Sequence, residues 1–347
     1  MKPLHWLAAW GTILKGRAPM LSIEITRECP LSCPGCYAYG EEHLGGGVTL
    51  SQLNDYRGDD LVNGVMGLIR KHDPLHISLV GGEPLIRHKE LSRVLPQLSE
   101  MGKYVLVVTS AVIPIPEEWM KLARLTVAVS IDGLPPEHDV RRKPATYERI
   151  LRNVEGRRIN IHTTVTQQML SRDGYMEEFL GFWCARPELN SIWLSTYTPQ
   201  VGEQSPEMLT LESRRKLAED LPRLKQRFPQ MLMTPGIANA ILEPPRSPSD
   251  CIFSKMSVNY SADLKSRVEP CIFGGNPDCT QCGCAVSSGF HWAGNLLVAG
   301  PFHVSHIMNG SIKIGSVVNR IQKHATDGMR WHRGPQAPDP KLTQIQM

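Results

Sequence analysis

Cys29-Pro-Leu-Ser-Cys33-Pro-Gly-Cys36 follows closely on a short alternating run, Ser22-Ile-Glu-Ile-Thr26, and this junction decides how the rest of the chain is read. The run has the period of a strand. The loop after it sets three cysteines at CxxxCxxC spacing, which suits a metal cluster that draws its fourth partner from elsewhere. A cubane iron–sulfur cluster is normally held by four Cys, so a three-Cys loop leaves one iron open to a chelating small molecule. Zinc and disulfide chemistry are the competing readings. Zinc sites favour paired CxxC or Cys/His sets closed by four ligands, and no pair is placed to close this loop locally. Disulfides imply export, whereas nine Cys is an odd number and the first residues do not read as a signal peptide, so export is not expected.

The 347 residues suffice for one large domain, or a barrel plus an appendage. The formal net charge of +4 comes from interspersed signs rather than a basic block, so nucleic acid is not expected as a partner. No stretch approaches the ~20 apolar residues of a membrane span, and the expected location is cytoplasmic. Leu4, Trp6, Leu7, Trp10, Ile13 and Leu14 recur at helical spacing with cations at both ends. Such a stripe packs more often on its own domain than on lipid. Its two Trp keep peripheral membrane contact open.

Past the Cys loop, apolar runs alternate with helical patterns. The runs are His76–Val80, Tyr104–Thr109, Thr126–Ser130, Asn160–Val165 and Ser191–Ser195; the helical stretches include Leu61–Lys71, Leu91–Met101, Glu117–Leu122 and Thr146–Val154. With Ser22–Thr26 in front, this order predicts a parallel α/β sheet. Periodicity alone does not separate a barrel from a doubly wound sheet. In either, chemistry collects at the C-terminal strand ends. Leu211–Phe228 predicts a charged helix, Glu243-Pro-Pro-Arg-Ser-Pro-Ser249 a linker, and the composition beyond turns to Cys, Gly and Asn.

The Cys loop, Gly81-Gly-Glu-Pro84 after the second strand, and Ser130-Ile-Asp-Gly133 with His138-Asp139-Val140-Arg141-Arg142 after the fourth together resemble the signatures of the radical S-adenosylmethionine (SAM) enzymes. The resemblance implies a partial (βα)₆ barrel. It also implies a [4Fe-4S] cluster on Cys29, Cys33 and Cys36, with SAM chelating the open iron. Glu83 and the Gly81–Gly82 backbone correspond to the group that holds the SAM ammonium, and Ser130 and Arg142 to the contacts on its carboxylate. Asp132 suits a helix cap equally well. At Gly35 the chain departs from the family, which usually has an aromatic there; Tyr37 is the neighbouring ring for the adenine. Thr109-Ser110 stands where relatives often show Thr-Asn. His162 reads as a satisfied core residue and Cys184 as a small buried hydrophobe.

Cys251, Cys271, Cys279, Cys282 and Cys284 follow with spacing C-x₁₉-C-x₇-C-x₂-C-x-C. A hairpin through Ser257–Tyr260 and Arg267-Val268 would bring Cys251 and Cys271 to Cys279 and Cys282. Four thiolates enclose a second cubane fully, and zinc fits the spacing as well. The arrangement is similar to the SPASM/twitch extension of radical SAM enzymes, which implies an auxiliary [4Fe-4S] cluster on Cys251, Cys271, Cys279 and Cys282; which four of the five ligate stays open, Cys284 either replacing Cys282 or lying free. Expected boundaries are 1–17 for the N-terminal helix, 18–210 for the barrel, 211–249 for helix and linker, and 250–347 for the Cys-rich unit and tail.

The resemblance implies reductive SAM cleavage with a reductant such as flavodoxin or ferredoxin. Its motifs are mute about the acceptor. Likeness to the adenosylhopane synthase branch implies a terpenoid or other small molecule, and likeness to the peptide-maturase branch implies a peptide. A zinc- or iron–sulfur-stabilised binding or redox protein without SAM chemistry is the alternative.

Overall fold

The computed structural model describes residues 3–321 other than 42, 145 and 146. Its core is a sheet of seven strands: β1 Met20–Glu24, β2 His76–Val80, β3 Tyr104–Thr109, β4 Leu125–Ser130, β5 Ile159–Val165, β6 Leu189–Thr196 and β7 Ser257–Tyr260. All neighbours pair parallel, in the spatial order β6-β5-β4-β3-β2-β1-β7. The expected strands form within one or two residues of their predicted ends. β1 stops at Glu24 because the chain then turns away, with the Thr26 hydroxyl hydrogen-bonded to Asp55 at 3.0 Å.

Strand order bears on the question that periodicity left open. A doubly wound sheet reverses direction at a switch point, whereas β1 to β6 step one place at a time in one direction. Parallel connections are right-handed, so successive crossovers of that kind lay their helices on one face. The burial pattern agrees. Leu21, Ile23, Ile77, Leu79, Val105, Val107, Val127, Val129, Ile159, Ile161, Ile192 and Leu194 share one apolar core with helix residues such as Leu61, Val65, Leu91, Leu95, Ile150 and Phe179. The residues between them face the other way. In register they include Asn259, Ser22 and Ser78, then Ser130 beside His162 and Thr164 beside Ser195. One face is therefore apolar throughout, while the other mixes small polar groups with Leu106, Val108 and Trp193, so the central strands come closer to the apolar runs of a sheet buried on both faces.

The helices end where their charges direct. Gly58–His72 has Asp59 and Asp60 in its first turn and Arg70, Lys71 and His72 in its last, matching the helix dipole, and Asp73 closes it in the left-handed region at φ 45°. His88–Glu100, Tyr147–Val154 and Leu211–Arg227 also fall near their expected limits, while Glu117–Lys121 is a 3₁₀ helix. Thr146 and the tail beyond 321 lie outside the described residues.

Two placements were not foreseen. The strand expected to open a hairpin in the Cys-rich segment is β7, which extends the main sheet beside β1; its return is one antiparallel bridge, Tyr260 to Arg267. The N-terminal helix Pro3–Leu14 packs on the helix Val304–Ile321: Trp10 donates to the Ser311 hydroxyl at 2.6 Å, and Asn319 donates to the Gly16 carbonyl at 2.7 Å. Leu7 remains 61% exposed, and of Leu4 and Trp6 only the backbone is described. Among the described residues no helix is long and apolar enough to cross a membrane.

Candidate functional site

The Cys loop rests on the turn after β2. Gly81 and Gly82 have φ of 82° and 43°, and a Cβ on either would fall 2.3 Å from Glu24 Cβ or the Glu28 carbonyl. Only glycine allows this approach. The Glu83 N–H then donates to the Glu28 carbonyl at 2.8 Å, so the residue before Cys29 is tied to the GGEP turn. From below, buried Arg87 bridges Glu28 and Asp55. Gly35, at φ 63°, lets the loop turn back so that the Cys36 N–H reaches the Cys33 carbonyl. All nine cysteines are free thiols. Burial pushes Cys29 up to about 11, with Glu83, Cys33 and Cys36 pushing the same way against one backbone hydrogen bond; Cys33 is raised too, chiefly by burial, against the pull of Arg142. Such thiols become thiolates only when a metal replaces the proton.

Glu83 is 1% exposed. Its Oε1 accepts from the Leu85 N–H at 2.9 Å and the Thr109 hydroxyl at 2.5 Å, and its Oε2 accepts from the Ser110 N–H at 2.8 Å and the Ser110 hydroxyl. These four bonds fill the carboxylate's acceptor positions. Glu83 thus pins the Gly81–Gly82 turn to the end of β3, and the Thr109-Ser110 pair supplies the pins.

After β4, Ser130 is nearly buried and Asp132 is buried at 1% exposure. Asp132 Oδ1 accepts the Thr164 N–H at 2.9 Å, and Oδ2 accepts from Arg141 and, at 2.7 Å, from Arg142 Nε. Burial alone would raise its pKa, but the two guanidiniums outweigh burial and hold it well below the usual carboxylate range. Arg141 also forms a two-pronged pair with Glu207, at 2.8 and 3.0 Å. His138 Nδ1 accepts the Asp132 N–H at 3.1 Å, and burial, helped by Arg142, drives it down to about 4, so the ring is neutral. The His-Asp motif therefore braces the turn, and Asp132 aims Arg142 towards Cys33 rather than capping a helix. His162, beside Ser130 in the next strand, contacts the Ser195 hydroxyl at 2.8 Å.

The C-terminal thiols converge. Cys251, Cys271, Cys279, Cys282 and Cys284 line one pocket whose walls include Phe253, Phe273, Pro248 and Pro277. Cys251 Sγ accepts from the Ser254 N–H at 3.5 Å and contacts the Ser287 hydroxyl at 3.3 Å. Gly283 holds the last pair against β6, since a Cβ there would fall 1.8 Å from Thr196 Oγ1. Burial pushes Cys279 and Cys284 up to about 12 and Cys271 and Cys282 upward. Among the described residues no three His, Cys, Asp or Glu side chains are grouped to hold a single metal ion. The five thiols lining this apolar hollow are the residues there that could hold a cluster. Cys184, half-buried at the end of Tyr175–Cys184, stands apart from this set.

One joint links the two cysteine regions, and the sequence reading missed it. Buried His43 contacts Glu24 at 2.7 Å through Nε2 and the Phe273 carbonyl at 3.0 Å through Nδ1. The Ser261 hydroxyl donates to the other Glu24 oxygen. Burial alone would lower the His43 pKa, but Glu24 raises it overall. Tyr37, 40% exposed, packs edge-on against His43 and Phe273 with both centroids at 5.6 Å. The available signal was Glu24 itself, a carboxylate inside a strand.

Residues 23–178 match the Radical SAM superfamily. No curated protein matches the sequence. Among solved structures, Streptococcus suis SuiB bound to precursor peptide SuiA is similar with TM-score 0.55 at 15% identity, over 78% of this chain and 63% of that one. SuiB bound to S-adenosylmethionine gives 0.53 at 16%, over 74% and 62%. Native anSMEcpe with bound AdoMet and Cp18Cys peptide gives 0.52 at 16%, over 78% and 80%. At these identities the likeness establishes the fold, and this chain spans about 63% of the SuiB chain. The cysteine loop, the GGEP turn and the motif after β4 thus all lie in the segment that matches the Radical SAM superfamily, followed here by a cysteine-rich extension.

Proposed function

We propose that the protein is a radical SAM enzyme acting on a peptide, with a second iron–sulfur cluster in its C-terminal extension. The observation that carries the reading is the convergence of three loops at one end of the sheet. Cys29, Cys33 and Cys36 lie against the Gly81–Gly82 turn on one side and the Arg142–Asp132 pair on the other. Bound there, a [4Fe-4S] cluster with SAM on its open iron supplies reductive cleavage of SAM to methionine and a 5′-deoxyadenosyl radical.

The chain's own groups have distinct duties in this reading. Arg142, held by Asp132, presents a cation to the SAM carboxylate, with Ser130 beside it. The turn carbonyls of Gly81 and Gly82 meet the ammonium, and Glu83 fixes that turn rigidly. Tyr37 offers a ring to the adenine. The polar patch that His162, Thr164 and Ser195 form on the second face of the sheet is left to line the substrate space. The peptide class is supported by SuiB and anSMEcpe, both solved with peptides. The auxiliary cluster is supported by the five converging thiols; four protein ligands favour an electron-carrying role, since they leave no open iron.

Anaerobically reconstituted protein given dithionite and SAM should release 5′-deoxyadenosine without added substrate. Replacement of Cys29, Cys33 or Cys36 by Ala should abolish it. A fully loaded, reduced protein that forms no deoxyadenosine would refute the reading.

A further inference from the structure

Arg214, on the helix Leu211–Arg227, is only 6% exposed and reaches the backbone of the C-terminal cysteine segment. Its Nη1 donates to the Ile241 carbonyl at 3.1 Å, and its Nη2 donates to the carbonyl of Gln281, the residue before Cys282. Its Nε is buried with no partner. Among the described residues no carboxylate forms an ion pair with it. Asp278, the acid whose charge reaches it, already accepts from the Thr280 N–H and hydroxyl and from Gln281. Burial lowers the Arg214 pKa, and the strongest opposing influence is Cys282. A buried guanidinium with no anion is a costly arrangement, and it is tolerated where an anion arrives with a ligand.

We infer that Arg214 is the counter-charge of the auxiliary cluster: its guanidinium balances the negative charge of a four-thiolate iron–sulfur centre and favours that centre's reduced form. This rests on the auxiliary-cluster reading above. Adding one electron makes such a centre more negative, so a fixed cation beside a ligating thiolate stabilises the reduced state more than the oxidised one. The carbonyl bonds to Ile241 and Gln281 keep the cation in place. Arg214 acts on the cluster through Cys282, as a positioned charge rather than as a ligand.

The test uses the full chain with Cys29, Cys33 and Cys36 all replaced by Ala, so that any remaining cluster is the auxiliary one. Reductive titration of this parent with dithionite, followed by visible absorbance and electron paramagnetic resonance, gives its one-electron midpoint potential. Arg214→Gln, which keeps a donor but removes the charge, should disfavour reduction about tenfold, a fall of ~59 mV. Arg214→Lys, which keeps the charge but loses the planar fork, should stay near the parent. Loss of iron from Arg214→Gln with retention in Arg214→Lys would support the inference in another form, because charge is then what the cluster needs. Equal potentials in the parent and Arg214→Gln would overturn it. So would equal defects in the Gln and Lys variants, which would make Arg214 a structural clamp. A parent with no iron–sulfur absorbance would refute the auxiliary cluster itself, and the inference with it.

Discussion

Replacing Asp132 by Asn tests whether the motif after β4 is the device that aims Arg142. Asn keeps an oxygen for the Thr164 N–H, but it puts an amide where Oδ2 accepted from both Arg141 and Arg142. Breaking a buried ion pair by removing one partner typically costs about 3–5 kcal/mol. Arg141 retains Glu207, and both guanidiniums keep some contact with water, so the lower end of about 3 kcal/mol is expected here. Urea unfolding followed by circular dichroism at pH 7 measures it. The Asp132 carboxyl titrates below its ordinary 3.8 when folded, so its contribution is complete above that value and fades as pH falls through the folded pKa. The Asn variant should lack that acid-side slope. Because Arg141 is shared, Asp132→Asn combined with Glu207→Gln should lose more than the sum of the single changes by at least ~0.5 kcal/mol. SAM affinity should fall about tenfold as Arg142 loses its hold, equivalent to ~1.4 kcal/mol. An Asn variant within ~0.5 kcal/mol of wild type with unchanged SAM affinity would refute the reasoning.

Gly82→Ala should lower iron per chain, because a methyl 2.3 Å from the Glu28 carbonyl must push the Cys loop aside; iron content equal to wild type would count against the close approach. Glu83→Gln should leave the Ser110 N–H facing an amide donor and lose about 1–3 kcal/mol, with SAM binding and iron retention falling together; an affinity loss alone would restore a direct role for this carboxylate. His138 has its folded pKa depressed to about 4, so its contribution is fully present above the ordinary 6.5 and is lost as pH falls from there. A His138→Gln variant should therefore show about 3 kcal/mol less pH dependence of stability between those values than wild type, on the measure of ~1.36 kcal/mol per pKa unit. Removing Cys29, Cys33 and Cys36 together should leave about half the iron, in a form whose spectrum does not respond to SAM; zinc in its place would remove the auxiliary cluster while leaving SAM chemistry standing.

Six strands, most helices and the family signatures were legible because each is written in consecutive residues. CxxxCxxC fixes three thiols on one loop whatever surrounds it, and alternation with period 2 or 3.6 marks elements locally. The role of Asp132 stayed open between a site residue and a helix cap because its partners Arg141, Arg142 and Thr164 are assembled by the turn, the helix Pro135–Arg141 and the neighbouring strand. Glu83 was matched to SAM by its motif, yet three of the four bonds that fill its oxygens come from Thr109 and Ser110 at the end of the next strand. Arg214 carried no signal at all: one Arg among the charges of an amphipathic helix looks like any other until its surroundings close over it.

From the sequence alone came the class of fold, the SAM-directed motifs and the inventory of thiols, because local periodicity and short spacing survive without knowledge of distant contacts. The tertiary structure decided the rest. It set the one-directional strand order, gave β7 to the main sheet rather than to a separate hairpin, and gathered five cysteines around one hollow. It also joined the two cysteine regions through Glu24, His43 and Phe273, which lie 19 and 230 positions apart along the chain. Contacts of that separation depend on loop closure and on what each side chain meets when the sheet packs, and no local pattern encodes either.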